Sequence, residues 1–62
     1  MTPKELIKIL KRDGWVLVRT RESHYIFKHE VKRGLVTVPF HSKDLKPKTL
    51  QSIISQAMIK ED

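Results

Sequence analysis

The sequence predicts an α+β domain in which two helices cover one face of a three-stranded antiparallel sheet, in the order helix, strand, strand, strand, helix. Three observations predict it. Leu6, Ile9 and Leu10 near the start, and Leu50, Ile53, Ile54, Ala57 and Met58 near the end, recur at helical spacing. Between them the pattern changes to period two, with β-branched and aromatic enrichment. The links between the period-two runs are short, so the strands must form an antiparallel meander. Each helix has a single apolar stripe and no other layer to bury it, so both must lie on the same sheet face.

The first helix has a complete entry signal. Thr2 is a good N-cap, Pro3 suits the first helical position, and Glu5 completes a Thr-x-x-Glu capping box. Gly14 supplies a left-handed stop, which predicts a helix over 3–13. Strands are predicted over 15–21, 24–29 and 35–39. The first turn falls at Glu22-Ser23, and the second lies within Glu30 to Gly34, where Gly34 can take positive φ. Phe40 to Lys46 is a polar connection, and Pro47 opens a second helix over 47–59. Lys60-Glu61-Asp62 is a tail. Residues 1–62 are thus read as one domain, with the topology of double-stranded RNA-binding domains.

Composition narrows the function. A chain of 62 residues has no room for a deep cleft between domains. It has no Cys, so disulfides are excluded and any zinc site must use His and carboxylates. No apolar run approaches the ~20 residues of a membrane span, and the N-terminus lacks a signal-peptide layout. A small cytoplasmic domain is expected. Thirteen Lys and Arg face seven Asp and Glu, a net charge of +6, and the excess is greatest before Glu22. Such charge favours nucleic acid, then an anionic membrane or an acidic protein, although Lys-rich surfaces also serve solubility alone.

Strand pairing then sorts side chains by face. If the first hairpin turns at Glu22-Ser23, Arg21 opposes His24, Thr20 opposes Tyr25, Arg19 opposes Ile26, and Val18 opposes Phe27. The face under the helices would hold Val16, Val18, Thr20, Tyr25, Phe27, Val36 and Val38. The open face would hold Leu17, Arg19, Arg21, His24, Ile26 and Lys28. A slip of one residue would exchange the two sets.

A lone exposed His is usually just solvated. Beside two Arg, His24 also fits RNA cleavage without metal. An imidazole can take a 2′-hydroxyl proton, and guanidinium groups can clamp phosphate. His29 faces the core side at a strand end and suits a structural role; His41 lies in a loop and suits solvent. Alternation sends His24 and His29 to opposite faces, so a shared metal is not expected. Lys43, Lys46 and Lys48 surround the start of the second helix, where backbone amides already favour an anion. Solvated surface charge is the plainer reading of these lysines.

The chain resembles the HicA (YcfA-like) toxins of toxin–antitoxin systems. The resemblance rests on Leu6-Ile7-Lys8-Ile9-Leu10, Asp13-Gly14-Trp15, Ser23-His24, Phe27-Lys28-His29, Val36-Thr37-Val38-Pro39 and Leu45-Lys46-Pro47-Lys48-Thr49-Leu50, with Ile53 and Gln56-Ala57. It covers nearly the whole chain. It implies an mRNA interferase with a double-stranded RNA-binding fold, no cofactor, His24 as the catalytic residue, and a HicB antitoxin covering the site. Arg19, Arg21, Ser23, Lys28, Lys46 and Lys48 are the candidate RNA and phosphate contacts. Glu22 stands where the family usually has Gly, which disfavours the tight hairpin. Lys48 and Met58 also replace common glycines, and Met58 is expected to let the last helix run on. The competing readings are an RNA-binding module without turnover and a surface serving only to hold an acidic protein partner.

Overall fold

Both helices start and stop on local chemistry. In the computed structural model, which describes residues 1–59, helix α1 spans Pro3–Arg12. The Glu5 N–H donates to Thr2 Oγ1 at 3.2 Å, and the Thr2 N–H donates to Glu5 Oε1 at 2.9 Å. Two orphan amides are satisfied reciprocally. The hydrogen bond from the Thr2 backbone holds the Glu5 carboxyl below its usual range.

At the other end Gly14 takes φ +103°. The Trp15 N–H donates to Leu10 C=O at 2.9 Å, and the Gly14 N–H donates to Lys11 C=O at 3.1 Å. This is a Schellman stop, with Trp15 and Leu10 buried in the same core. A side chain at residue 14 would put its Cβ 2.7 Å from His29 Nε2, so glycine is required by space as well as by φ.

Strands β1 (Val16–Arg21), β2 (His24–Lys28) and β3 (Leu35–Pro39) form one antiparallel sheet in that order. Helix α2 spans Pro47–Gln56, shorter than the expected 47–59. Met58 is the correction. It takes φ +51°, with the Met58 N–H donating to Ser55 C=O and the Ile59 N–H donating to Ile54 C=O. A second Schellman motif therefore stops the helix although Met, not Gly, sits in the left-handed position. The Lys60-Glu61-Asp62 tail lies outside the described residues.

The core comprises Leu6, Leu10, Trp15, Phe27, Val36, Val38, Leu45, Ile53 and Ala57. No residue of β1 belongs to it; all six are exposed. Val16 and Val18, expected inside, are 57% and 54% exposed. Two causes combine: the helices pack on β3, so even Leu17 and Thr20 on the helix side of β1 are exposed, and a β-bulge between Leu17 and Arg19 changes the facing of Val16. Arg21, Thr20 and Arg19 pair with His24, Tyr25 and Ile26 as expected, but Leu17, not Val18, opposes Phe27, and Val16 opposes Lys28. One extra residue reverses the facing of everything before it.

The β2–β3 loop ties both helix ends together. Lys32 Nζ pairs with the Asp13 carboxylate and donates to the carbonyls of Ala57 at 3.0 Å and Met58 at 2.8 Å. The ammonium thus satisfies the end of α2 where the helix dipole is negative. His29 is half-buried. Its Nδ1 accepts the N–H groups of Val31 and Lys32 at 3.0 and 3.1 Å, which leaves the proton on Nε2 to be donated to Asp13 C=O at 2.7 Å. Its ring meets Trp15 edge-on, with centroids 5.2 Å apart.

Lys32→Met should cost about 1–2 kcal/mol, because two helix-end carbonyls and a carboxylate lose their cation. Thermal unfolding measures it, at about 4–8 °C per kcal/mol for a domain of this size. The Lys32 hydrogen bond also holds the Asp13 carboxyl below its usual value. A lowered folded pKa gives stability that is full above the unfolded value of about 4 and is lost as pH falls through the folded value. Asp13→Asn should therefore flatten the acid limb of the stability–pH curve below about pH 4. Identical acid limbs for the two proteins would refute this role for Asp13.

Candidate nucleic-acid interface

The open face is organised in three rows that run across the sheet. Val16, Lys28 and Leu35 form one row; Arg19, Ile26 and Thr37 the next; Arg21, His24 and Pro39 the last. Each row carries one Lys or Arg; Val16 and Leu35 flank Lys28 at one end, while Arg21 and His24 stand together at the hairpin end. His24 opens β2, exposed, with Arg21 directly opposite and Arg19 one row below. Opposed Cβ atoms lie about 5 Å apart, so both groups can reach one phosphate. The bulge stands next to Arg19. Without it Val18 and Phe27 would share the core face, but the pairing around His24 is the same either way.

The hairpin tip is strained. Glu22 takes φ +55° and is the first of the two turn residues; Ser23 is the second. Positive φ at that position favours Gly, so Glu22 costs roughly 1 kcal/mol. The tip is held nonetheless, because the Phe40 N–H donates to Ser23 C=O at 2.7 Å.

The remaining candidates divide. Lys46 is the N-cap of α2 and makes no side-chain capping bond. It lines a cleft with Pro39, His41, Lys43, Asp44 and Thr49, so one carboxylate stands among these cations, and Pro39 is the residue opposite His24. Lys46 is thus linked to the His24 end of the sheet. Lys48 lines a different groove, between α2 and the free edge of β3, with Leu35, Thr37 and Ser52. Lys28 shares the face of His24 but sits four residues along the strand, about 13 Å away. It lines a groove with Val16, Val18, His29 and Glu30 at the Val16 end.

Among the described residues the one ion pair joins Lys32 to Asp13. Arg19, Arg21, Lys28, Lys46 and Lys48 therefore face no described carboxylate at ion-pair distance. No set of three or more His, Asp or Glu among the described residues is arranged to hold a metal ion. Both ring nitrogens of His29 are already engaged, which leaves His24 and His41 as the imidazoles open to chemistry.

Two features escape a reading of the sequence. Phe40 continues the β3 rungs one residue past the strand end at Pro39, and it stacks on Tyr25 with centroids 4.6 Å apart and planes 17° from parallel. Extending the alternation of β3 by one residue would have placed Phe40 beside Tyr25. The β2–β3 loop reads as a turn only; nothing in its spacing marks Lys32 as a bridge between two helices.

Glu22→Gly should relieve the left-handed penalty and stabilise the domain by about 1 kcal/mol, or roughly 4–8 °C. A variant that melts at or below the parent temperature would show the turn to be unstrained.

A family model for the HicA toxin of bacterial toxin-antitoxin matches residues 3–59. No curated protein is matched.

Proposed function

We propose, from the premise that the chain belongs to the HicA toxin family, that it is an endoribonuclease that cleaves mRNA without a metal and is neutralised by a HicB-type antitoxin. A toxin of this class has an antitoxin partner; that the partner is HicB-like, and that the target is mRNA, are the proposed parts. The observation that carries the reading is the last row of the open face. It presents an unencumbered imidazole and a guanidinium side by side at the exposed end of a rigid sheet.

The chemistry proceeds from that pair. His24 removes the proton of the 2′-hydroxyl. The freed oxygen attacks the adjacent phosphorus, a new P–O bond forms, and the bond to the 5′-oxygen breaks. A cyclic phosphate and a 5′-hydroxyl remain. Arg21, with Arg19 behind it, neutralises the charge that builds on the phosphorane oxygens. The leaving 5′-oxygen takes its proton from water or from His41, which shares the cleft of Lys46 and Pro39. Ser23 at the turn, with Lys46 and Lys48 at α2, extends phosphate contact along the backbone. Lys28 can meet only a more distant phosphate. The reaction is expected in the cytoplasm. No helix among the described residues is long and apolar enough to cross a membrane.

His24→Ala should lower RNA cleavage in EDTA by about 10²- to 10⁴-fold, the usual worth of a general base, and abolish growth arrest with the fold intact by circular dichroism. Undiminished cleavage by that variant would sink the mechanism. One observation favours a second reading, an RNA-binding module without turnover: Glu22 brings a carboxylate to the tip beside His24, where the family usually has Gly. RNA binding by the parent protein with no cleavage, and cleavage gained in Glu22→Gly, would select that reading.

A further inference from the structure

We propose that the cleft between the start of α1 and the Phe40–Ser42 segment seats one nucleobase of single-stranded RNA, stacked on Phe40. The inference rests on the RNA-binding reading above and adds a positioning residue to it. Of the four aromatic side chains, Trp15 and Phe27 are buried and Tyr25 is half-buried; Phe40 alone is exposed, at 36%. One side of its ring lies against Tyr25, 4.6 Å between centroids and 17° from parallel. The ring also lines a cleft of about 500 Å³ with Thr2, Lys4, His41 and Ser42. A planar partner entering that cleft would extend an aromatic stack already two rings deep.

The stack is set in advance. Tyr25 packs on the core, and the Phe40 N–H is bonded to Ser23 C=O at 2.7 Å. The bond fixes the Phe40 backbone and the stack on Tyr25 restrains its ring, which reduces the freedom lost on binding. The lining favours a nucleotide over an acceptor-poor ligand. No carboxylate is among the lining residues, and that of Glu5, behind Thr2, is engaged by the Thr2 N–H and hydroxyl. Lys4 supplies a cation for phosphate, and the Ser42 hydroxyl can both donate to and accept from a base edge. Every base has a flat face, so such a platform accepts single-stranded RNA whose bases are already splayed.

Position connects the cleft to the chemistry. Arg21, His24 and Pro39 form the last row of the open face, and the Ser23–Phe40 bond is the next rung beyond it. Side chains on that rung turn to the helix side. A strand held by phosphate at Arg21 and His24 can pass over the sheet end and drop a neighbouring base onto Phe40. The stack would fix which bond lies against His24.

The test uses the His24→Ala chain, which should bind RNA without cutting it, and a fluorescein-labelled single-stranded RNA octamer read by anisotropy. Phe40→Leu should weaken binding about 5- to 150-fold, the worth of one base–aromatic stack, while Phe40→Trp should bind at least as tightly. An abasic site walked along the octamer should cause a loss of similar size at one position with Phe40 present and none in the Phe40→Leu chain. Folded Phe40→Leu protein that binds as the parent does overturns the inference and leaves the RNA-binding reading standing. Should Phe40→Leu fail to fold, the abasic walk on the Phe40 chain decides alone; insensitivity at every position overturns the inference. No RNA binding by the His24→Ala chain overturns both.

Discussion

A single ammonium group closes this fold. Lys32 meets the carboxylate at the end of α1 and two carbonyls at the end of α2, so one loop side chain fixes the spacing of both helices over the sheet. The neighbouring His29 anchors the same loop to α1 from the other side, through Asp13 C=O. A domain of this size has a thin core, and α2 has no side-chain cap at its start and a Met in the left-handed position at its end. Polar ties at the helix ends therefore count for more than they would in a larger protein. They also divide labour among the cations. Lys32 is consumed by structure, while Arg19 and Arg21 stay exposed at the far end of the sheet.

The open face owes its layout to one inserted residue. With Val18 bulged out, the rungs on one side of it run in the opposite phase to those on the other. The Val16 row and the Arg21–His24 row thereby fall on the same face. His24 stands where strand, turn and the Phe40 rung converge, a place that offers backbone order without enclosure. Strain at Glu22 belongs to that place too, since a non-glycine residue there takes left-handed backbone, as Met58 does at the end of α2.

Much of this is legible in the sequence. The capping box at Thr2 and Glu5, the Gly14 stop, Pro47 at the start of α2 and the turn at Glu22-Ser23 are each local chemistry, and local chemistry can be read from neighbours. The pairing of Arg21 with His24 comes from the turn alone. The bulge does not. Val16, Leu17 and Val18 are all apolar, so no polar residue marks the change of phase, and the pattern continues cleanly in the wrong register. The end of α2 is hidden for a related reason. Met58 is a poor left-handed residue, but the two backbone bonds that stop the helix and the packing of Ile59 outweigh its preference. Lys32 is illegible because its three acceptors are brought together only by the tertiary fold.

The exposure of β1 matters for the molecule as one copy among many. An edge strand opening with Val16-Leu17-Val18 offers unpaired backbone groups and apolar side chains together, the combination that recruits a second chain into intermolecular sheet. The same bulge that sets the register bends this edge and breaks its ladder, and Arg19 and Arg21 place like charges along the rest of the strand. The irregularity therefore also acts as a guard against self-association, keeping an uncovered edge from becoming the seed of an aggregate.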